Sequence, residues 1–465
     1  MDGRLLQRKH LEAYCLLQIC YSMLYLQNME YIKRYLTNTI RKAMVSFPAV
    51  LVTGARQTGK TTLLRTEFGT SHDYISLERP DIRNRALADP VGFFTQTPGP
   101  LILDEIQYAP ELLHYIKELI DTRRRPGQWL LTGSQSFSLM QGVSQTLAGR
   151  VAVLNLDPLS ARELSQQPQV SPEDMLEWMF GSAEKHPPSK AGGMSDPVDT
   201  VDAEFFRNDN KQAAGPGFED WLLRGGFPEP CLNKQVDRQL WFSGYLQTYI
   251  QRDVRDLTEV RNLETFYKFL LLVAARTGQL LNMTELGNEI GIAGPTVKRW
   301  LSVLKTSQLI CLLPPYHKNF GKRLRKSPKL YLLDPGLAAF MLGLHSRSSI
   351  LQGPSLGALA ETAVAAEWLK FFRQHGEEPQ IYYWQSSAGK EVDLIIERDG
   401  KLYALEVKAT ATPRAEHGKN LKQWLKLADA NARGALACNI NEPQALLPGI
   451  RAVPWHLNAY SDTLE

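Results

Sequence analysis

The sequence predicts an α/β protein: a domain built on a parallel sheet, then an α-helical module, then a second α/β unit. Three observations predict this. The apolar run Ala49–Thr53 leads straight into Gly54-Ala-Arg-Gln-Thr-Gly-Lys-Thr61 and a helix-competent stretch. Apolar runs of strand length then alternate with helical patterns as far as Leu156. Helical periodicity dominates from Trp241 to Leu304, and strand-like runs return at Ile381–Trp384, Glu391–Ile396 and Leu402–Lys408.

Length and composition bound the answer. The 465 residues suggest about three domains. Apolar content of 43% and charged content of 22% are those of an ordinary globular protein. A net charge of +4 is too small to argue nucleic-acid binding, which must rest on local clusters. The five cysteines are scattered without a C-x-x-C pair, so neither a zinc site nor a disulfide framework is expected, and a reducing cytoplasm is. No apolar run reaches the roughly eighteen residues of a spanning helix, so no membrane partner is expected.

Residues 1–28 read as an N-terminal extension. Ala13–Leu26 has the apolar character of a signal core, but Gln18 interrupts it and no A-x-A site follows. A helix packed on the body is one alternative, and a natural start at Met29 is another. Glu30-Tyr-Ile-Lys-Arg-Tyr-Leu36 reads as the opening of an amphipathic helix that leads into the first strand.

The first domain is expected over 29–165. Gly54–Thr61 matches G-x-x-x-x-G-K-[ST], the phosphate-cradling P-loop. Gly54 and Gly59 permit the tight turn that aims backbone N–H groups at an anion, and the helix from Lys60 to Phe68 points its N-terminus the same way. The expected nucleotide-binding set is Gly54, Ala55, Arg56, Gln57, Thr58, Gly59, Lys60, Thr61 and Thr62. Lys60 reaches the outer phosphates of ATP, and the Thr61 hydroxyl holds Mg²⁺.

Tyr74–Leu77 reads as a strand and Glu78–Ala88 as a helix. Leu101-Ile-Leu-Asp-Glu-Ile-Gln107 is an apolar strand ending in two acids, which would be costly to bury without a cationic partner. Asp104 belongs to the Mg²⁺ site, and Glu105 is placed to orient and deprotonate the attacking water. A helix with Leu112, Leu113, Ile116, Leu119 and Ile120 on one face follows, then Gln128–Gln135, an apolar strand capped by small polar groups. Thr132, Ser134 or Gln135 senses the γ-phosphate or forms an ordinary strand-end turn. Arg150, before the strand Val151–Leu156, reads as an arginine finger or as a surface arginine. Ser160-Ala-Arg-Glu163 is a capping box.

In chain order a strand lies between the P-loop strand and the Asp-Glu strand. That order, with a glutamate beside the acidic Mg²⁺ residue, resembles the additional-strand, catalytic-glutamate class of P-loop ATPases. The resemblance is to an AAA-like prokaryotic ATPase family with a C-terminal module termed DUF4143, over roughly Met29 to the C-terminus. It rests on Gly54–Thr61, Leu101–Gln107, Leu131–Ser134, Leu147–Arg150, Pro158–Ser160, Arg224-Gly-Gly-Phe-Pro-Glu229 and Tyr249-Ile-Gln-Arg-Asp253.

Residues 166–217, rich in Pro, Ser, Gly, Asp and Lys, read as a mobile insertion or linker longer than the family's usual connection. Arg224 and Arg252 are alternative positive groups for the nucleotide or solvated arginines. Residues 218–345 are expected to form a helical and winged-helix module. Met283–Ile290, the turn Gly291–Gly294 and Pro295–Leu304 have helix-turn-helix spacing, and Leu309–Leu313 with Lys329–Leu333 read as wing strands. The strongly basic His317–Lys326 lies between them. The module either binds DNA, with Thr296, Lys298 and Arg299 near a groove, or packs as a lid on the ATPase.

Residues 346–465 carry the helix Ala358–Leu369, then Asp393 on one strand and Glu406-Val-Lys408 on the next. This pattern resembles the PD-(D/E)xK superfamily, which implies a restriction-endonuclease-like domain. Glu406 and Lys408 share a strand face. Asp393 and Glu406 would hold Mg²⁺, Lys408 would act on the attacking water, and the resemblance adds Glu361 as a helix-borne metal acid. The alternative is an inert nuclease-like domain used for contacts. Two functions follow: an ATP-driven enzyme acting on DNA, or a signalling or scaffold ATPase that binds a protein partner. A homo-oligomer is compatible with either.

Overall fold

The computed structural model describes residues 31–133, 142–143, 145–181, 216–250, 262–317, 327–428 and 431–457. The extension 1–28, Ser134, Gln135, Arg252 and the basic stretch 318–326 lie outside them.

Helix α1 (Leu36–Ser46) precedes strand β1 (Ala49–Thr53) and helix α2 (Lys60–Phe68). Strands β2 (Asp73–Ser76) and β3 (Leu101–Asp104), helix α3 (Leu112–Thr122), and strands β4 (Trp129–Thr132) and β5 (Val151–Asn155) follow. The sheet order is β2-β3-β4-β1-β5, and every pairing is parallel. All five β1 residues are buried, because helices cover both faces of the sheet. Val50 and Val52 pack with Leu63, Leu64, Ile102 and Leu130, whereas Ala49 and Leu51 pack with Leu101, Leu103, Leu112 and Ile116. The strand interposed between β1 and β3 is β4. The strand counted between them in chain order, β2, sits at the outer edge.

Two expectations are corrected. The helix leading into β1 begins at Leu36, and residues 31–35 of the expected helix are not helical, because Arg34 and Tyr35 are pinned by tertiary hydrogen bonds: Tyr35 N–H donates to Glu163 Oε1 at 3.0 Å. The supposed linker 166–217 contains helix α4 (Pro172–Phe180). Ser171 caps it, Pro172 opens it, and Met175, Leu176, Met179 and Phe180 bury its inner face. The Phe180 ring packs on Trp368 and Tyr403, so α4 is part of the C-terminal core.

The middle region carries helices α5 (Leu263–Ala275), α6 (Met283–Ile290) and α7 (Gly294–Thr306). Strand β6 (Gln279–Leu280) joins β7 (Ile310–Leu313) and β8 (Lys329–Leu332) in an antiparallel sheet of order β6-β8-β7. Gly291, at φ 70°, makes the turn between α6 and α7.

Helix α8 (Leu356–Gln374) leads into a mixed six-stranded sheet, flanked by α9 (Lys419–Leu427). Its strands are β9 (Ile381–Gln385), β10 (Glu391–Arg398), β11 (Lys401–Lys408), β12 (Arg433–Cys438), β13 (Gln444–Leu447) and β14 (Ile450–Pro454), in the order β13-β14-β12-β11-β10-β9. One continuous hydrophobic core runs from Ala161 through the middle helices and α8 to Leu457, so the middle and C-terminal regions share their interior. Among the described residues, no helix is long and apolar enough to cross a membrane.

Candidate functional site

The carboxyl end of β1 opens into a loop that only a glycine-rich sequence can follow. Gly54 has φ 150°, and a Cβ there would lie 2.3 Å from the Leu156 carbonyl oxygen. Gly59 has φ 91° immediately before α2. Lys60 is buried, and its Nζ donates to the carbonyls of Gly54 at 3.1 Å and Ala55 at 2.9 Å. The lysine thus curls over the loop that would hold phosphates. Thr58 is buried and Thr62 exposed, with Thr61 between them facing β3.

At the end of β3, Asp104 meets three hydroxyls. Its Oδ1 accepts from Thr61 at 2.8 Å and Thr132 at 2.6 Å, and its Oδ2 accepts from Tyr74 at 2.8 Å. Burial and then the Asp104 charge push the Tyr74 phenol up to about 12. Among the described residues, no ammonium or guanidinium pairs with Asp104. A buried carboxylate surrounded by neutral hydroxyls, one of them the P-loop threonine, is the oxygen-rich donor set that suits Mg²⁺. Glu105 follows in the left-handed region at φ 59°. Its backbone N–H donates to Thr132 Oγ1 at 2.9 Å, and its carboxylate accepts from Gln107.

The loop is braced from behind by a residue the sequence reading did not use. Arg34 is buried and donates to the Thr58 carbonyl at 3.0 Å, the Asp157 carbonyl at 2.7 Å and Glu163 Oε1 at 3.0 Å. Arg373 of α8 pairs with Asp157 at 3.0 Å, and Glu367 accepts from the Ala161 N–H at 2.9 Å. The P-loop is therefore tied through Arg34 and Asp157 to α8.

A second cluster forms where α8, β8, β10 and β11 meet. The carboxylates of Glu361, Glu391 and Asp393 lie within 4.8 Å of one another. Lys329, from β8, stands among them: its Nζ is 2.5 Å from Glu361 Oε1, also pairs with Glu391, and is 3.9 Å from Asp393 Oδ1. Tyr331 donates to Glu361. Asp393 Oδ2 accepts from the Val407 N–H at 2.8 Å, and Lys408 pairs with Glu406 at 2.7 Å. Burial, reinforced by Asp393, raises Glu361 to about 7 and Glu406 to about 8. Burial also raises Asp393. Burial opposes the Lys329 charge, yet Glu361, Asp393 and Glu391 together hold its pKa above that of an ordinary lysine.

Residues 46–165 match the AAA-domain family, and 356–457 match DUF4143, a domain of unknown function. The chain therefore carries an AAA domain and, C-terminal to it, a DUF4143 domain. Residues 215–348 match a further domain of unknown function, DUF8612. Uncharacterized proteins of Mycobacterium tuberculosis and Mycobacterium bovis are each 29% identical over 374 residues, covering 80% of this chain and 73% of theirs. A Walker-type ATPase of Pyrococcus abyssi aligns at TM-score 0.36 and 14% identity, over 66% of this chain and 94% of that one. A signal-transduction ATPase with a tetratricopeptide repeat sensor, from Pyrococcus horikoshii, aligns at TM-score 0.26 and 11% identity, over 75% and 47%.

Within this AAA domain, Gly54–Thr62, Asp104, Glu105 and Thr132 share the carboxyl edge of the sheet. Arg150 does not. It precedes β5 at the amino edge, where its carbonyl accepts from Ala49 N–H at 3.2 Å, and its guanidinium pairs with Asp121 at 2.6 Å. The length of β1 separates it from the P-loop, so it cannot be an arginine finger in its own chain's site. Arg224 donates to the Pro230 carbonyl at 3.0 Å. In the DUF4143 domain, Glu361 and Asp393 lie together with Glu391, and Glu406 is outside that trio. Lys408 is engaged by Glu406 instead of standing free to act on a water. The residues missed were Arg34, Lys329 and Glu391. Only Glu391 had a local signal, its i, i+2 spacing from Asp393 on one strand face.

Proposed function

We propose that this protein is a Mg²⁺-dependent ATPase that couples its nucleotide state to action on DNA through the middle and C-terminal modules. The observation that carries the reading is the Thr61–Asp104 contact at 2.8 Å, with Glu105 beside it. Lys60 would leave the Gly54 and Ala55 carbonyls for the outer phosphates, a charge-assisted contact in place of two neutral ones. Thr61 and Asp104 would hold Mg²⁺, which would neutralise phosphate charge. Glu105, fixed at its backbone by Thr132, would take the proton of the attacking water.

Coupling would run through Arg34, which grips the Thr58 carbonyl, to Asp157 and Arg373 on α8. The DNA reading is supported by the order α5-β6-α6-α7-β7-β8, that of a winged helix. It is also supported by the exposed Lys298 and Arg299 on α7. The unpaired thiols of Cys231, Cys311 and Cys438 are in keeping with a reducing cytoplasm.

A second reading has its own support. Lys329 places an ammonium among the acids of the pocket, which favours a scaffold ATPase whose DUF4143 domain binds a protein and cuts nothing. One experiment separates them: ATP turnover and DNA cleavage measured with and without Mg²⁺ and duplex DNA. Mg²⁺-dependent turnover stimulated by DNA supports the first reading. Turnover indifferent to DNA, with no cleavage, supports the second. Absence of turnover under every condition would overturn both.

A further inference from the structure

The lysine within the acidic pocket belongs to a different sheet from three of the acids around it. Lys329 opens β8, the central strand of the β6-β8-β7 sheet, where it pairs with Leu313 on one side and Leu280 on the other. Its backbone is therefore fixed from both sides. Its side chain is 4% exposed, and its Nζ lies 5.8 Å from the Tyr331 ring centroid. Glu391 and Asp393 lie on β10 and Glu406 on β11 of the C-terminal sheet, while Glu361 projects from α8.

The two sheets are joined beside the pocket. Tyr316 N–H donates to the Tyr383 carbonyl at 2.6 Å, Tyr383 N–H to the Pro314 carbonyl at 3.2 Å, and the Tyr383 hydroxyl to the Ser327 carbonyl at 2.6 Å. The ammonium thus enters across a seam that backbone hydrogen bonds hold closed.

We infer that Lys329 occupies the cation position of the Glu361–Glu391–Asp393 pocket, making it a lysine-filled clasp between the two sheets that admits a divalent ion only when the ammonium is gone. A Mg²⁺ or Mn²⁺ ion needs its oxygens at about 2.0–2.2 Å. An ion shared by these three carboxylates would fall where Nζ already contacts Glu361 and Glu391. A cation this close to an ammonium in a buried site is strongly repelled. Nζ pairs directly with Glu361 and Glu391 and lies 3.9 Å from Asp393, so its withdrawal would strand buried negative charge. Glu406 is left over: Lys408 holds Oε1, while Oε2 is buried without a hydrogen-bond partner.

The test is Mn²⁺ titration calorimetry on the nucleotide-free full chain, which makes it independent of whether the protein hydrolyses ATP. Wild type and Asp393→Asn should give the same titration, because the pocket takes no metal in either. Lys329→Met should gain a Mn²⁺ site at least about tenfold tighter than anything in wild type. Lys329→Met/Asp393→Asn should lose it. Wild-type binding that Asp393→Asn removes would overturn the inference, as would a folded Lys329→Met chain that gains no site. Should Lys329→Met fail to fold, the wild-type and Asp393→Asn comparison still decides. Lys329→Arg, which keeps the charge, should then match wild type.

Discussion

Asp104 and Asp393 are both buried strand carboxylates, and both lie near a lysine-bearing element, yet they are balanced in opposite ways. Asp104 is held by the hydroxyls of Thr61, Thr132 and Tyr74, which can rotate away or keep bonding when a cation arrives. Its neighbour Lys60 is turned onto the Gly54 and Ala55 carbonyls. Asp393 shares the Lys329 ammonium with Glu361 and Glu391. The first arrangement leaves negative charge available to an incoming ion, while the second has spent it on an internal one. The difference teaches that proximity of acids does not make a metal site. What decides is whether the protein supplies its own cation.

The largest effect should fall on the site without an internal cation. Glu105→Gln removes a proton acceptor while leaving the P-loop intact. ATP turnover should drop by about 10²–10⁴-fold with nucleotide affinity retained. Lys60→Ala should lose affinity as well, because a charge-assisted phosphate contact goes. Turnover of the Gln variant equal to wild type would break the comparison on its nucleotide side.

Lys329→Met is the next largest. Breaking a buried ion pair by removing one partner costs about 3–5 kcal/mol, because the stranded carboxylates must be desolvated or protonated. Denaturant unfolding at neutral pH should show that loss. A stability unchanged from wild type would mean the clasp contributes nothing. The pair Lys298→Ala and Arg299→Ala, both on an exposed helix face, should leave unfolding nearly unaltered and serves as the control.

A smaller effect is expected from Glu406→Gln, and it is one of pH. Burial and Asp393 raise the Glu406 carboxyl to about 8, while Lys408 opposes the shift and Glu361 adds to it. A raised carboxyl means the folded chain binds more protons than the unfolded one. Its contribution to stability is therefore fully present below about 4.5 and is lost as pH rises towards about 8. Chemical denaturation at about pH 5 and about pH 8 should show wild type losing more stability with rising pH than Glu406→Gln. Equal slopes would show that Glu406 is not held neutral.

The two sites were also unequally legible in the sequence. Gly54–Thr61 reads directly because a left-handed glycine before a helix is a local requirement, and Asp104 and Glu105 stand out as acids that end an apolar strand. Helix α4 was hidden among prolines and acids, although Ser171-Pro172 marks its start. Lys329 was read as the first residue of a wing strand. Its partner Glu361 lies 32 positions away on another element, and no periodicity connects them. Arg34 is further still from Glu163, at 129 positions, and looked like one polar residue of an amphipathic helix. Local backbone chemistry is written in neighbouring residues, whereas charge balance is written only in the fold.

The smallest effect separates one chain from an assembly. Arg150 sits at the amino edge of the sheet, paired with Asp121 through two hydrogen bonds at 2.6 and 3.0 Å, while the P-loop opens at the carboxyl edge. Both side chains are solvent-facing, and such pairs are screened and contribute little. Arg150→Ala should therefore leave nucleotide affinity unchanged in the dilute chain. Turnover should also be unchanged if each chain works alone. An arginine at this edge can reach a nucleotide only in a neighbouring copy, so a role as a finger predicts a rate that rises with protein concentration. It also predicts that Arg150→Ala abolishes that rise, and that mixing the variant with Glu105→Gln chains restores turnover through shared sites. Rates independent of concentration in wild type, with no rescue on mixing, would remove Arg150 from the chemistry. The nucleotide site would then be complete within one chain.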